Sequence, residues 1–324
     1  MGGDHAPRET VLGALLAAPL IHSKILLVGR EDLLCGLLPK DAPSNIMIVP
    51  ATEQVDMHEK PTEAIRKKKD SSMAVAVRLV KDGEAKAMVS AGNTGAATAS
   101  SLLSWRQIEG IHRPAIATVL PNRFGGFLLL DSGASPDVDP PHIVEFAVMG
   151  RAYAQRVMGR KNPKVHLLNI GEEAGKGNAF AKECYELLKK YPWFAGNIEG
   201  NDMYHHEVDV VVCEAFVGNI VLKTSEGIAE LFARSIKDRV PTNPLLKLPF
   251  WPVSYVTGPL KKAMDYSEVG GSPLLGLNGV CVISHGRSNA KAIKNALLMA
   301  QKAVEADLVD AIRESMKKTE VANG

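Results

Sequence analysis

The stretch Val89-Ser90-Ala91-Gly92-Asn93-Thr94-Gly95-Ala96-Ala97-Thr98 contains a strand end, a turn and a helix start within ten residues. Ala87–Val89 is apolar enough for a short buried strand, and Gly92 permits a tight turn with positive φ. Asn93 or Thr94 can cap the next helix, whose small residues let it lie close to the sheet with its backbone N–H groups facing the loop. Helix N-termini of this kind bind phosphate. The predicted phosphate-binding residues are Ser90, Gly92, Asn93, Thr94 and Gly95.

Three further junctions repeat this order of strand, glycine, polar cap and helix. Gly177-Asn178 follows Val165–Ile170, Gly218-Asn219 follows Val208–Cys213 and opens a helix at Ile220, and Gly286–Asn289 follows Val280–Ser284. Four such junctions predict one crevice at the carboxyl edge of a sheet. The alternative is that glycine and asparagine are simply the residues that short loops use.

Composition excludes several classes of protein. The 324 residues are 46% hydrophobic and 23% charged, which is ordinary for a globular protein with a large core. A net charge of +2 and an aromatic content of 5% argue against nucleic-acid binding. The four cysteines have no paired spacing, and Cys213 and Cys281 are predicted to be buried thiols in a reducing compartment. No signal peptide and no apolar run long enough to span a bilayer is recognised.

Strands and helices alternate along the chain, which predicts an α/β fold of three layers, α/β/α, with a largely parallel sheet. We expect residues 1–324 to form a single catalytic unit. Predicted elements that matter below are a strand over Ala115–Leu120, a strand over Phe127–Leu130, an irregular or edge segment over Trp193–Asp202, and a helical run over Ser288–Lys317.

The segment Val240–Asp265 breaks the alternation. It contains four prolines before Gly258-Pro259, with Phe250, Trp251 and other apolar residues between them and lysines on its flanks. Apolar and aromatic groups beside lysines suit a membrane surface. The segment is therefore predicted to protrude and to contact a membrane or a partner subunit.

Motifs spread over nearly the whole chain resemble those of the bacterial phosphate acyltransferase family of phospholipid synthesis. They are Met1–Pro7, Val89–Gly95, Leu168–Asn178, Phe216–Asn219 with Lys223–Gly227, and Gly270–Gly276 with His285–Ser288. Members of this family have a fold similar to that of the isocitrate/isopropylmalate dehydrogenase and phosphotransacetylase group. They carry a short strand before the Met-Gly-Gly-Asp motif, so a first strand is expected to be missing here. Cys213–Phe216 departs from the family pattern, and Ala215 in place of glycine predicts a reshaped loop.

The resemblance implies a reaction and its partners. Long-chain acyl-acyl carrier protein and inorganic phosphate would give acyl phosphate, which a membrane glycerol-3-phosphate acyltransferase then uses. A homodimer is implied, located in the cytoplasm and attached peripherally to the inner face of the cell membrane. The basic run Arg66–Lys69 suits an acidic carrier protein, although such runs are more often solvated helix faces.

Candidate catalytic residues follow from direct attack of phosphate on the thioester. Lys176, helped by Asn178, would neutralise phosphate or donate to the oxyanion, and His285 would protonate the departing thiolate or position phosphate. Arg287 and Ser288 are further phosphate-binding candidates. Each of these residues also has an ordinary structural interpretation as a loop or cap residue. Glu172 and Glu173 are interpreted as structural.

No cofactor and no metal is expected. A nucleophile elbow, a P-loop, a dinucleotide fingerprint and paired Cys/His spacing are all missing from the sequence. Three alternatives remain. They are a coenzyme A-dependent, phosphotransacetylase-like transferase, a nicotinamide-dependent decarboxylating dehydrogenase, and a non-catalytic membrane scaffold.

Overall fold

The computed structural model describes residues 1–239 and 266–323 as an α/β fold with three sheets. The strands are β1 (Ile25–Gly29), β2 (Ile46–Pro50), β3 (Ala87–Ser90), β4 (Ala115–Ile116), β5 (Thr118–Leu120), β6 (Phe127–Leu130), β7 (Val165–Leu168), β8 (Phe194–Ile198), β9 (Val210–Val212), β10 (Ser272–Leu275) and β11 (Val280–Ile283). The helices are α1 (Arg8–Ala17), α2 (Glu31–Leu37), α3 (Pro61–Lys67), α4 (Ser72–Lys81), α5 (Thr94–Trp105), α6 (Pro140–Arg156), α7 (Ala179–Leu188), α8 (Asp202–His205), α9 (Ala215–Arg239), α10 (Tyr266–Val269), α11 (Ala290–Glu305) and α12 (Leu308–Asn323). A single 3₁₀ turn, Ala18–Leu20, follows α1.

The described strands form three separate sheets. β1 and β2 form a parallel pair, a four-stranded sheet has the order β3-β11-β10-β4, and a five-stranded sheet has the order β5-β6-β9-β7-β8. Within the four-stranded sheet β3 and β11 are parallel, and β10 is antiparallel to both of its neighbours. Within the five-stranded sheet β6, β9, β7 and β8 are parallel. The predicted α/β class with a largely parallel arrangement is therefore confirmed.

Alternation of side chains along β11 shows how helices cover both faces of the four-stranded sheet. Val280 and Val282 pack in a cluster with α11, while Cys281 and Ile283 pack in another cluster with α4 and α5. Because successive strand residues point to opposite faces, one apolar strand needs helices on both sides. The five-stranded sheet is covered in the same way, by α6 and α7 on one face and by α8 and α9 on the other.

The carboxyl ends of the two larger sheets face each other. β4 continues into β5, so the chain passes from the four-stranded sheet into the five-stranded one at Ala117. β6 then runs back, and the Asp131 carboxylate after it accepts a hydrogen bond from Ile116 N at 2.9 Å. β9 and β7 are parallel to β6, whereas β3 and β11 run in the direction of β4. The four predicted junctions therefore lie at the boundary between two sheets, two on each side, and not along one sheet edge.

Several predicted boundaries are wrong for identifiable reasons. The strand over Ala115–Leu120 is interrupted at Ala117, whose N–H donates to Pro273 O at 2.9 Å as the chain changes sheets. The run Ser288–Lys317 is two helices, because Asp307 has a φ of 48° and ends the first. The edge interpretation of Trp193–Asp202 is right, since β8 is an edge strand. β10 was not predicted.

The junction at Gly218-Asn219 is the largest correction. α9 begins at Ala215, so both residues lie inside the helix and not ahead of it. Glu214 supplies the missing cap, because its carboxylate accepts hydrogen bonds from the N–H groups of Phe216 at 2.5 Å and Val217 at 3.0 Å. Ala215 is the first residue of this helix, and the predicted reshaping of the loop relative to the family stays a prediction.

Two predictions concern parts of the chain beyond these elements. The segment Val240–Asp265 lies outside the described residues, and the described elements do not test the expected loss of a first strand, so both stay predictions. Among the described residues no helix combines the length and the apolar character that crossing a membrane requires.

Candidate active site

The loop after β3 presents two backbone donors at the start of α5. Asn93 caps this helix, since its Oδ1 accepts a hydrogen bond from Ala96 N at 3.0 Å. The N–H groups of Thr94 and Gly95 have no acceptor among residues 1–239 and 266–323. Both residues are exposed, so these donors and the positive end of the helix dipole are open to an anion.

The Asn93 side chain also binds the loop before α3. Its Nδ2 lies within hydrogen-bond distance of three carbonyl oxygens, those of Asp56 at 3.3 Å, Met57 at 3.0 Å and Glu59 at 3.0 Å. Asn93 is buried, so its side chain fixes the loop before α3 and is not available to phosphate. Gly92 does not have the predicted positive φ. Its N–H donates to Ser90 Oγ at 3.2 Å, which closes the turn.

The N-terminal residues join this loop to the one after β11. Asp4 N donates to Gly286 O at 2.9 Å. A Cβ at Gly3 would lie 2.9 Å from Ala91 O and 3.3 Å from Gly286 O, so a side chain there would force the loops apart. The ladder between β3 and β11 is extended by Ser284 N, which donates to Ser90 O at 2.8 Å. Three loops that are distant in sequence therefore meet at one sheet edge.

His285 follows β11 at this edge. Its Nδ1 accepts a hydrogen bond from Arg287 N at 3.1 Å, which assigns the proton of the neutral ring to Nε2. Partial burial lowers the pKa of His285, nearby Lys223 and Arg287 lower it further, and Glu226 and Asp4 oppose them. The lowered pKa favours the neutral imidazole, in which Nε2–H is the hydrogen-bond donor.

Arg287 and Ser288 differ in their availability. Arg287 is exposed, whereas Ser288 is only 3% exposed. The Ser288 hydroxyl lies 3.1 Å from Ser284 Oγ, which in turn donates to Gly270 O, and Ser288 N donates to His285 O at 2.9 Å. The structure thus uses Ser288 to hold the His285 loop.

Lys176 and Asn178 lie across the boundary, on the loop after β7. Both are exposed. Asn178 caps α7 by accepting from Ala181 N at 2.8 Å, and the Lys176 carbonyl accepts from Asn169 Nδ2 at 3.2 Å. The structure places this loop at the edge that faces the His285 loop.

Lys223 and Glu226 belong to the family motif Lys223–Gly227, but neither was predicted to be a site residue. They lie on α9, form an ion pair at 2.8 Å, and act electrostatically on His285 from the opposite side of the boundary. Their spacing of three residues on a helix signals an ion pair but gives no indication of His285, because that proximity depends on how the sheets meet.

Asp131 was also missed as a structural centre. Its carboxylate is fully buried and accepts hydrogen bonds from the N–H groups of Ile116, Gly133, Ala134 and Ser135 at 2.8–2.9 Å. Burial raises the pKa of Asp131, and these bonds oppose the rise. The carboxylate thereby fixes the loop that lies between β4 and α9.

The model of a family described as "Fatty acid synthesis protein" matches residues 1–311 of this chain. The chain belongs to that family. A phosphate acyltransferase from Desulfitobacterium hafniense is 49% identical over 321 residues, covering 98% of this chain and 96% of the relative. A phosphate acyltransferase from Heliobacterium modesticaldum is 49% identical over 318 residues, covering 97% and 95%. These relatives confirm the family resemblance seen in the sequence and the expectation that the chain is an acyltransferase enzyme.

Solved structures support the fold of this family member. A phosphotransacetylase from Streptococcus pyogenes has a TM-score of 0.61 at 17% identity, covering 93% of this chain and 92% of its own. A branched-chain phosphotransacylase from Enterococcus faecalis has a TM-score of 0.57 at 14% identity, covering 94% and 96%. The predicted similarity to the phosphotransacetylase group is therefore confirmed at the level of fold.

Proposed function

We propose that this enzyme transfers the acyl group of a long-chain acyl-acyl carrier protein to inorganic phosphate. The products are acyl phosphate and free carrier protein. The observation that carries the proposal is the meeting of three loops at the edge of β3 and β11. This meeting places the loop that carries the open N–H groups of Thr94 and Gly95 beside the loop that carries His285 and Arg287.

In the proposed reaction a phosphate oxygen attacks the thioester carbonyl carbon. A C–O bond forms, the carbonyl oxygen becomes an oxyanion, and its collapse breaks the C–S bond, so that the electron pair leaves on the carrier thiolate. The thiolate is a good leaving group and takes its proton from solvent. Holding the two substrates in line supplies about 7–11 kcal/mol of the barrier reduction.

Several of the exposed residues at this boundary have a role in the proposed reaction. The Thr94 and Gly95 N–H groups and Arg287 bind phosphate, and His285 Nε2–H donates to phosphate or to the oxyanion. A well-placed oxyanion donor contributes about 2.7–4 kcal/mol. We assign His285 to positioning and not to the alternative role of protonating the thiolate, because its lowered pKa favours the neutral imidazole. Lys176 and Lys223, both on the opposite side of the boundary, are the candidate cations for the developing charge.

The test uses the purified full chain with long-chain acyl-acyl carrier protein and inorganic phosphate. Hydroxylamine traps acyl phosphate as a hydroxamate, and a thiol reagent counts released carrier protein. We expect hydroxamate to form only when phosphate is present, in an amount equal to the carrier thiol that is released. Thiol release without phosphate dependence would indicate a thioesterase and would refute phosphate as the nucleophile.

The same assay separates the alternatives. Short acyl-coenzyme A would replace the acyl carrier protein as the better substrate if the enzyme were of the phosphotransacetylase type. A dehydrogenase would require a nicotinamide cofactor and a divalent metal. A scaffold would bind vesicles and release no thiol.

We further propose a homodimer that attaches to the inner face of the membrane and passes acyl phosphate to a glycerol-3-phosphate acyltransferase. Large apolar side chains exposed on α9 support this proposal, among them Phe216 at 67%, Leu231 at 64% and Phe232 at 56% exposure. Exposed apolar surface of this kind marks sites of contact with proteins or membranes. Light scattering should give the mass of a dimer. The native chain should float with vesicles, and Phe232→Ser should float less. A monomer that does not float would refute both parts.

A further inference from the structure

Two histidines and a glutamate form a compact cluster away from the candidate active-site loops. His112, His142 and Glu145 each offer one ligand atom, and these three atoms lie within 4.8 Å of one another. His112 precedes β4, whereas His142 and Glu145 lie in the first two turns of α6. Two imidazoles and one carboxylate are a donor set that suits zinc.

Glu145 is held in place by the fold. Its side chain is 9% exposed, on a helix whose middle is buried in the core. One carboxylate oxygen accepts from His112 N at 2.8 Å, and the other lies 2.7 Å from His112 Nδ1. The carboxylate therefore fixes both the backbone and the ring of His112 in the metal-free protein.

His142 completes the cluster from the same helix face as Glu145, three residues earlier. Its Nδ1 accepts a hydrogen bond from Asp139 N at 2.8 Å, so its ring is also oriented. The two imidazole centroids are 6.0 Å apart. The His112 side chain is 72% exposed, so an ion can enter from solvent.

We infer that His112, His142 and Glu145 form a zinc-binding site. Ligands bound to zinc at about 2.0–2.2 Å in a tetrahedron lie roughly 3.4 Å apart. The 2.7 Å separation of His112 Nδ1 from Glu145 Oε1 and the 4.8 Å limit on all pairs bracket that spacing. Binding displaces the proton shared by His112 Nδ1 and Glu145 Oε1, which passes to solvent. Small side-chain adjustments then bring the three donors onto one ion, and water fills the fourth position. The bound ion links the loop before β4 to α6.

The experiment titrates Zn²⁺ into the purified, metal-stripped full chain by calorimetry and follows visible absorption with Co²⁺ as a probe. Two variants retain the existing hydrogen bonds but lose an imidazole. His112→Asn keeps an N–H donor for Glu145, and His142→Gln keeps an acceptor for Asp139 N, as glutamine does in capping boxes. His22→Ala, an exposed histidine before β1, is the matched control.

One Zn²⁺ per chain is expected, with a rise in melting temperature of a few degrees. Each imidazole variant should bind at least ~10-fold more weakly, while keeping the circular dichroism and the metal-free melting temperature of the native chain. The control should bind as the native chain does. Failure to bind Zn²⁺, or equal binding by the native chain and both folded variants, would overturn the inference.

Discussion

Gly218→Ala tests how closely α9 approaches the loop after β6. A Cβ at position 218 would lie 1.9 Å from Asp131 O and 3.1 Å from Cys213 Sγ. The carbonyl cannot yield easily, because Asp131 is tied by its own carboxylate to four backbone N–H groups. The methyl group therefore has to push the first turn of α9 away.

The change in the free energy of unfolding caused by Gly218→Ala is the sum of two opposing effects. Alanine is a better helix residue than glycine by about 1 kcal/mol. Forcing a methyl group into a packed contact costs about 1–3 kcal/mol, and more where only backbone can move. Gly227→Ala is the matched control, since it lies on the same helix and its Cβ would meet nothing within 4 Å. It should stabilise the protein by up to about 1 kcal/mol.

Urea unfolding followed by circular dichroism measures both free energies of unfolding, and the hydroxamate assay measures turnover. Gly218→Ala should be less stable than Gly227→Ala by about 1–3 kcal/mol or more, the size of the steric term. Its turnover should fall, because Lys223 moves with α9. If Gly218→Ala were as stable and as active as Gly227→Ala, the close approach and the role of Asp131 in fixing it would both be wrong.

Three other outcomes are expected. Lys176→Ala should lower turnover at least tenfold and leave the melting temperature unchanged, because it removes a positive charge or a donor to the oxyanion. Turnover near that of the native chain would exclude Lys176 from the mechanism. Burial lowers the pKa of His285, so the neutral ring should persist below pH 6.5 and kcat/KM should fall only at lower pH. The pH profile of His285→Gln should lack the fall in kcat/KM that protonation of His285 causes and should show only the titration of phosphate. A pH profile identical to that of the native chain would exclude His285 as a donor in the reaction. Burial raises the pKa of the Cys184 and Cys281 thiols to about 12, and Cys213 is buried too. In the native chain a thiol reagent should therefore react rapidly with the exposed Cys35 alone, whereas in urea it should react with all four cysteines.

Local signals predicted the elements that depend on local chemistry. The strand Phe127–Leu130 has the predicted bounds, because four apolar residues stand between a glycine and an aspartate. Asn93 and Asn178 cap the helices that they were predicted to open, since an asparagine oxygen three residues before a free N–H acts without tertiary help. Cys213 and Cys281 are buried as expected.

Features set by distant contacts were not predictable in this way. β10 contains Pro273 between glycine-rich flanks and resembles a loop, yet Ala117 N finds its acceptor at Pro273 O. Gly218 resembles a junction glycine, but its need for glycine comes from Asp131, which is far away in sequence. The proximity of Lys223 to His285 depends on two sheets that meet through β4 and β5, and no spacing in the sequence records it.

The hydrogen bond from Asp4 N to Gly286 O bears on how the protein is made by the ribosome. Its two residues are synthesised far apart in time, since translation at about 5–20 residues per second places the second residue roughly 14–56 s after the first. During that interval the glycine-rich N-terminal loop can contact Ala91 but lacks its hydrogen-bond partner at Gly286, although β1 and β2 can already pair. A nascent chain therefore cannot bind phosphate at the junction of these loops until nearly its whole length has left the exit tunnel, which leaves little opportunity for premature activity.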